Sequence, residues 1–397
     1  MFCSSCGKEI PDNAAFCTHC GAKINATAFD GAKESIKKSA EEIGKSASVA
    51  MNAFTKNITG EDSGTPIEIR FRDVFSGILK KHTQTEADEL FICGTTLTTP
   101  DVKDISREWP KPWLFSRVFV YLLAASILLA FLVFNMESYL AVPGLMFVSS
   151  VVGPVSAVIF FFEVNSPRNI SIFQVVQVLV IGGLMSMIVT LMLGNYVYQS
   201  SSLIGAFGIG FVEELGKAVI VASFINRITA NNKKRYILNG LLVGSAVGAG
   251  FDLFETAGYV FMAFLNSIQI DIGWSSFSLV YDFGQSVQEM GGVIILRGVT
   301  SLGGHVVWAA ISGAALCVAT LEGPISMKSF ASVPFIGAFI VPITLHALWD
   351  WQVGGLLKIV ILCIIPWFII FIYINRGIKE INAEMSNVIE MNKEASA

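Results

Sequence analysis

Four short polar clusters sit inside otherwise apolar stretches of this sequence. "EELGK" brings together Glu213, Glu214 and Lys217, and "FDLFE" brings together Asp252 and Glu255. A lone His305 lies in "SLGGHVVWAAISG", and "HALWD" carries His346 and Asp350. Within each cluster the spacing is three or four residues, which puts the side chains on one face of a helix. The residue types are those of hydrolysis. A carboxylate shielded from water accepts a proton more readily, and histidine polarises a carbonyl, holds an attacking water or joins carboxylates around a metal. No serine–histidine pairing stands out and no H-E-x-x-H motif is present. Water activated by a glutamate is therefore the simplest chemistry, with a peptide bond as its target. Each cluster also has a plainer reading. Glu214 and Lys217 form a buried ion pair, Asp252 bonds a neighbouring backbone, a lone histidine links two helices, and Asp350 is partly solvated near an interface. Together the groups suit an ion or proton relay of a transporter as an alternative, but no inverted repeat accompanies them.

The elements that must position these groups are membrane-spanning. Of 397 residues 53% are hydrophobic and 15% charged, and the mean hydropathy is +0.63. That composition exceeds the ordinary globular range. The formal net charge of -4 says little, because residues 1–112 are polar and residues 113–376 form a series of apolar runs. Eight runs, at 113–134, 142–163, 171–193, 203–225, 237–265, 292–320, 331–350 and 359–375, approach the ~20 residues needed to cross the hydrocarbon core. The expected fold class is an all-α polytopic membrane protein of about eight transmembrane helices, with a small cytosolic zinc ribbon at its N-terminus. That N-terminus opens on a cysteine motif and not on a basic-then-apolar leader, so the first apolar run is expected to serve as the targeting signal. Charges inside such helices cost about 2.5–3.5 kcal/mol each on insertion scales and normally face a cavity or a partner. Counted from the outer ends of their runs at ~1.5 Å per residue, Glu213, Glu255, His305 and His346 lie roughly 7–20 Å deep. Four successive helices are thus expected to share one polar chamber. Glycines at 208, 210, 216, 250, 303 and 304 allow the helices to approach. Within the pair, Glu213 is expected to be the proton-carrying base, because i,i+4 spacing stacks it over Lys217.

Basic residues set the orientation. Lys103, Arg107, Lys111 and Arg117 flank the first run, Arg168 follows the second, and Arg227, Lys233, Lys234 and Arg235 follow the fourth. Lys328 follows the sixth run, and Arg376 and Lys379 follow the eighth. The opposite loops carry almost none, Lys358 excepted, and the loop 266–291 carries Asp271, Asp282 and Glu289. The excess of positive charge predicts both termini in the cytosol.

At the N-terminus "FCSSCGKEI" and "FCTHCGAKI" form a small repeat. Cys3, Cys6, Cys17 and Cys20 stand in the spacing C-x2-C-x10-C-x2-C, which supplies four thiolates to one tetrahedral Zn2+. So short a segment has no core to fold without the metal. A disulfide pair is the plainer alternative, and His19 is expected at the surface. The remaining cysteines, Cys93, Cys317 and Cys363, are scattered singly, as in a reducing compartment. The expected organisation is a zinc ribbon at 1–25, a cytosolic linker with a short helical segment at 26–112, a transmembrane domain at 113–376 and a cytosolic tail at 377–397. Within the linker His82 is expected to be solvated. The ribbon is expected to recruit a cytosolic protein partner. Nucleic acid is not expected, since no basic and aromatic patch surrounds the knuckles.

The ordered set E-E-x-x-K, F-x-x-x-E, lone His and H-x-x-x-D on four successive spans resembles the PrsW family of intramembrane proteases, which is related to the CAAX prenyl proteases. The resemblance covers residues 114–376, with its motifs between 213 and 350. It implies an endopeptidase acting on a membrane-anchored protein within the lipid bilayer, a location in the bacterial inner membrane, a family association with anti-sigma-factor and stress signalling, and a site built from Glu213, Glu214, Lys217, Phe251, Glu255, His305, His346 and Asp350. In that site Glu213 and Glu214 include the base, Lys217 holds the pair, Phe251 packs beside it and Asp350 orients His346. A catalytic metal and a glutamate-only mechanism with histidine as electrophile are both compatible with these residues. A transporter with a buried relay and a non-proteolytic zinc-ribbon scaffold are the other functions open at this point.

Overall fold

The computed structural model describes residues 5–9, 16–22, 38, 45–46, 48–60, 69–194, 202–230, 234–266, 268–272, 277–281, 283–320, 322–351 and 353–394. Two compact units result, Met1–Lys56 and Asn57–Ala397. In the first, the chain turns after each knuckle through Gly7 and Gly21 at φ 71° and 72°, a conformation that only glycine adopts without strain. Cys6, Cys17 and Cys20 converge, with the Sγ atoms of Cys6 and Cys17 3.6 Å apart. A disulfide needs about 2.05 Å, so these two are separate thiols placed as neighbouring ligands. Cys3 lies outside the described residues. His19 is exposed, as expected, and its backbone N–H donates to Cys17 Sγ at 3.4 Å.

The second unit is a helical membrane domain. Its long helices are α1 (Leu114–Phe134), α2 (Val142–Val164), α3 (Ile172–Gly194), α4 (Leu203–Ile228), α5 (Ile237–Leu265), α6 (Phe283–Thr300), α7 (His305–Ala319), α8 (Val333–Asp350) and α9 (Leu356–Glu394). Among the described residues seven spans can cross a membrane by length and composition, α6 and α7 together counting as one. The 26-residue α4 has the length and is set apart by Glu213, Glu214 and Lys217. The protein is therefore a multi-pass membrane protein of about eight spans.

The core is the crossing of α5 and α7. Gly240, Gly244 and Gly248 form a stripe at four-residue spacing on α5, and a methyl group at any of them would overlap the α7 backbone at Gly313, Ala309 or His305. Helices in lipid gain little from burying apolar surface and associate through such small-residue contacts. Asp252 and Thr256 continue the same stripe, so the close approach ends where the polar groups begin. Gly248→Val is expected to destabilise the fold by about 1–3 kcal/mol or more through overpacking, read as a lower melting temperature in detergent. Gly258→Val on the same helix, where a Cβ meets nothing within 4 Å, should melt close to the parent.

Several local devices fix the remaining helices. The Glu163 carboxylate, at the end of α2, accepts the backbone N–H groups of Trp113, Leu114 and Phe115 at 2.8–3.0 Å. It thereby satisfies the N-terminal donors of α1, which have no partner within their own helix. α3 is interrupted by a π-turn at Val178–Gly182, and beside that turn Gly183 and Gly250 let α3 and α5 touch backbone to backbone. His82 is not solvated as expected: its ring stacks on Trp113 at 3.9 Å and Nε2 lies 3.0 Å from Gly77 O.

Three features depart from the expected layout. The loop 266–291 contains an antiparallel hairpin, β1 (Ile268–Ile272) with β2 (Phe277–Tyr281), Ile270 facing Leu279. This small hairpin lies in a loop between spans and leaves the all-α class of the membrane domain standing; isoleucine at 268, 270 and 272 alternates as in a strand. The sixth apolar run starts earlier, at Phe283, and breaks at a 3-10 turn, Ser301–Gly303. α9 also runs unbroken to Glu394 through the region expected to be a tail. Its Glu380 accepts the Ile237 N–H at 2.9 Å, and its Glu384 pairs with Lys234 at 2.7 Å.

Candidate active site

The four clusters converge in one buried chamber. α4 presents Glu213, Glu214 and Lys217 from one face, α5 presents Phe251, Asp252 and Glu255, α7 begins at His305, and the end of α8 presents His346 and Asp350. Gly210 permits the α4–α8 approach, since a Cβ there would lie 3.2 Å from His346 Cβ. The break at Ser301–Gly304 makes His305 the first residue of α7. All eight expected site residues are brought together.

Lys217 is the hub. It is fully buried, its Nζ 2.6 Å from Glu214 Oε1, 3.5 Å from Glu213 Oε2 and 2.8 Å from His305 Nδ1. The Phe251 ring lies 4.1 Å from the ammonium, a cation–π contact that completes its enclosure. An ammonium only donates, so His305 Nδ1 accepts and Nε2 carries the proton, which it donates to Glu255 Oε2 at 3.0 Å. His346 Nδ1 donates to Glu214 Oε1 at 3.0 Å. In the neutral ring, Nε2 is then a free lone pair, 3.6 Å from Glu213 Oε2 and 3.4 Å from Asp350 Oδ2. Glu213 Oε2 is buried and has no hydrogen-bond partner. At 3.4–3.6 Å these atoms are in contact, and room for a water lies beside them, in the cleft that Glu213 and Glu255 line.

The geometry corrects the expected balance within the glutamate pair. Lys217 binds Glu214 more closely than Glu213, and the same ammonium meets His305 Nδ1. Glu213 is singled out by its unsatisfied oxygen and not by stacking over the lysine.

The PrsW-protease family model, described as PrsW family intramembrane metalloprotease, matches residues 169–374. The chain belongs to the PrsW family. A zinc-ribbon domain matches residues 2–24. No curated protein and no solved structure matches the chain. Membership makes this PrsW chain an intramembrane protease, acting on membrane proteins in a lipid environment.

One member of the PrsW site was not anticipated. Arg297, from α6, donates through Nη2 to Glu255 Oε2 in a short contact, approaches Asp252 Oδ1 at 3.4 Å, and donates through Nε to Thr256 Oγ1 at 2.8 Å. Its guanidinium also lies over the Tyr259 ring. The available signal was a lone arginine inside an apolar run, read as part of the span.

The family description implies a metal, and two groupings have suitable ligands: Glu213, His305 and His346, and Asp252, Glu255 and His305. Arg297 already supplies the cation in the second. The first fits a divalent ion, since a carboxylate and two imidazoles are a catalytic donor set and Glu213 Oε2 is unpartnered. His346 is best prepared, because its Nδ1–H is held by a carboxylate as metal-bound histidines usually are. His305 has both nitrogens engaged and joins only if Lys217 releases Nδ1.

Proposed function

We propose that this protein is an endopeptidase that hydrolyses a peptide bond of a membrane-anchored protein, with Glu213 as the base. The carrying observation is Glu213, whose Oε2 makes no hydrogen bond and lies 3.6 Å from His346 Nε2, at the edge of a cleft with room for water. A water held there gives a proton to Glu213 as its oxygen bonds to the substrate carbonyl carbon. Glu213 then passes that proton to the leaving amine as the C–N bond breaks. Lys217 offsets negative charge as it develops, and its place in a dry chamber strengthens that effect. Glu214 positions both Lys217 and His346, while Glu255 and Arg297 hold His305, and Asp350 borders His346 on the open side. A divalent ion bound by Glu213, His346 and His305 would supply a Lewis acid that acidifies water and polarises the carbonyl.

The distribution of basic residues supports both termini in the cytosol and the site nearer the outer leaflet, and a bacterial inner membrane is the proposed setting. Anti-sigma-factor or stress signalling is the family's associated context, and a membrane-anchored regulator is the proposed substrate class. The cytosolic ribbon, with a structural Zn2+ on Cys3, Cys6, Cys17 and Cys20, is proposed to recruit a partner protein.

The test uses the reconstituted full chain with membrane-tethered reporters: the parent should cleave and His346→Ala should not. A parent that moves ions or solutes across vesicles and cleaves nothing would establish the transporter alternative. The metals separate in a second measurement. Cys6→Ser/Cys17→Ser should lose one zinc per chain by mass spectrometry. Stoichiometric zinc remaining in that variant, and lost on adding His346→Ala, places a second ion in the membrane chamber.

A further inference from the structure

The chamber opens on a cleft of about 590 Å3 between the last turns of α3, the first half of α4 and the second half of α5. Its floor is polar, formed by Glu213 and Glu255, and its walls are apolar, with Leu191 and Met262 exposed at the rim. Two glycines line it, Gly194 and Gly258, and a Cβ at either would meet nothing within 4 Å. Elsewhere on α5 the glycines are there for packing, as Gly240, Gly244 and Gly248 press on α7. A glycine weakens a helix, and at Gly258 no neighbour needs the space. What the missing side chain leaves open is the cleft itself, one helical turn from Glu255.

We propose that this cleft receives the substrate's own membrane-spanning segment, locally extended, and that Gly258 sets the size of the side chain admitted beside the scissile bond. The inference rests on the hydrolase reading and deepens it. Three observations identify the occupant. The rim side chains Leu191 and Met262 are apolar and exposed, on helices long and apolar enough to cross a membrane, which favours an apolar segment as the occupant over a polar one. Glu213 and Glu255 both line the cleft, so a chain lying in it brings a backbone carbonyl beside the base. An extended backbone inside a membrane must also find hydrogen-bond partners in protein. The lining supplies them in its two carboxylates and in the Thr190 hydroxyl, which is buried and has no partner. Gly258 is a specificity residue in this scheme and takes no part in the chemistry.

The experiment uses the full chain in proteoliposomes with single-span reporters of Leu/Ala composition. A central Gly-Pro pair loosens each reporter helix, and one neighbouring position is varied from Gly to Phe. A photo-crosslinking residue at Leu191 or Met262, in a Glu213→Gln background, should capture the reporter; at the exposed Ile364 of α9 it should capture lipid only. Capture of lipid alone at all three positions overturns the cleft assignment. Gly258→Trp should cut cleavage of the Phe-bearing reporter at least about tenfold relative to the Gly-bearing one, the scale on which pocket size discriminates. Its melting temperature should stay with the parent. An unchanged cleavage profile in a folded Gly258→Trp overturns the role of Gly258 while leaving the hydrolase reading standing. A parent that cuts no reporter overturns the hydrolase reading, and this inference with it.

Discussion

Glu213→Gln is expected to lower reporter cleavage by about 10²–10⁴-fold, the range for loss of a general base, with a melting temperature close to the parent. The separation of the two effects follows from the contacts. Glu213 Oε2 makes no hydrogen bond, and its approach to Lys217 is 3.5 Å, so an uncharged amide of the same shape disrupts little. Glu214→Gln should behave differently. Its Oε1 accepts from both Lys217 at 2.6 Å and His346 at 3.0 Å, and removing the charge leaves a buried ammonium without its nearest counter-ion. That variant should lose activity and stability together. If Glu213→Gln cleaves like the parent while Glu214→Gln is inactive but fully stable, the two roles are exchanged and the proton passes through Glu214.

The comparison of these two glutamates also marks how far the sequence could be read. Spacing alone placed Glu213, Glu214 and Lys217 on one face, and the order of four motifs identified the chamber's eight members, because helical periodicity and the cost of charge in lipid are local rules. Which carboxylate the lysine prefers depends on His305, 88 residues away in the chain, and no local rule reaches that far. Arg297 escaped notice for the same reason: its partners, Glu255 and Asp252, are on another helix. The break at Ser301–Gly303 was hidden inside a continuous apolar run, since "SLGG" is apolar enough to cross a membrane yet bends between α6 and α7. The hairpin Ile268–Tyr281 was passed over as a loop because two five-residue strands between spans carry little hydropathy signal. The glycine stripe at 240, 244 and 248 was not among the glycines expected to bring helices together, and its contact with α7, where Gly248 meets the His305 carbonyl, is what reveals it.

Lys217→Met carries the largest expected effect on stability and decides between an ion pair kept for structure and one kept for chemistry. The ammonium is fully buried among Glu214, Glu213, His305 and the Phe251 ring. Removing one partner of such a pair costs about 3–5 kcal/mol, because the remaining charge is stranded away from water. The single variant should therefore melt well below the parent, or fail to accumulate. Glu214→Gln/Lys217→Met removes both charges at once, and replacing a buried pair by neutral groups of similar volume is often close to neutral in stability. The double variant should recover most of the loss in melting temperature. If the pair is structural only, it should also recover cleavage. If Lys217 offsets charge at the reacting carbonyl and Glu214 holds His346 toward the water, the double variant folds and remains inactive. That second outcome is expected, because Lys217 touches both Glu213 and His305, contacts that a purely structural pair with Glu214 does not require.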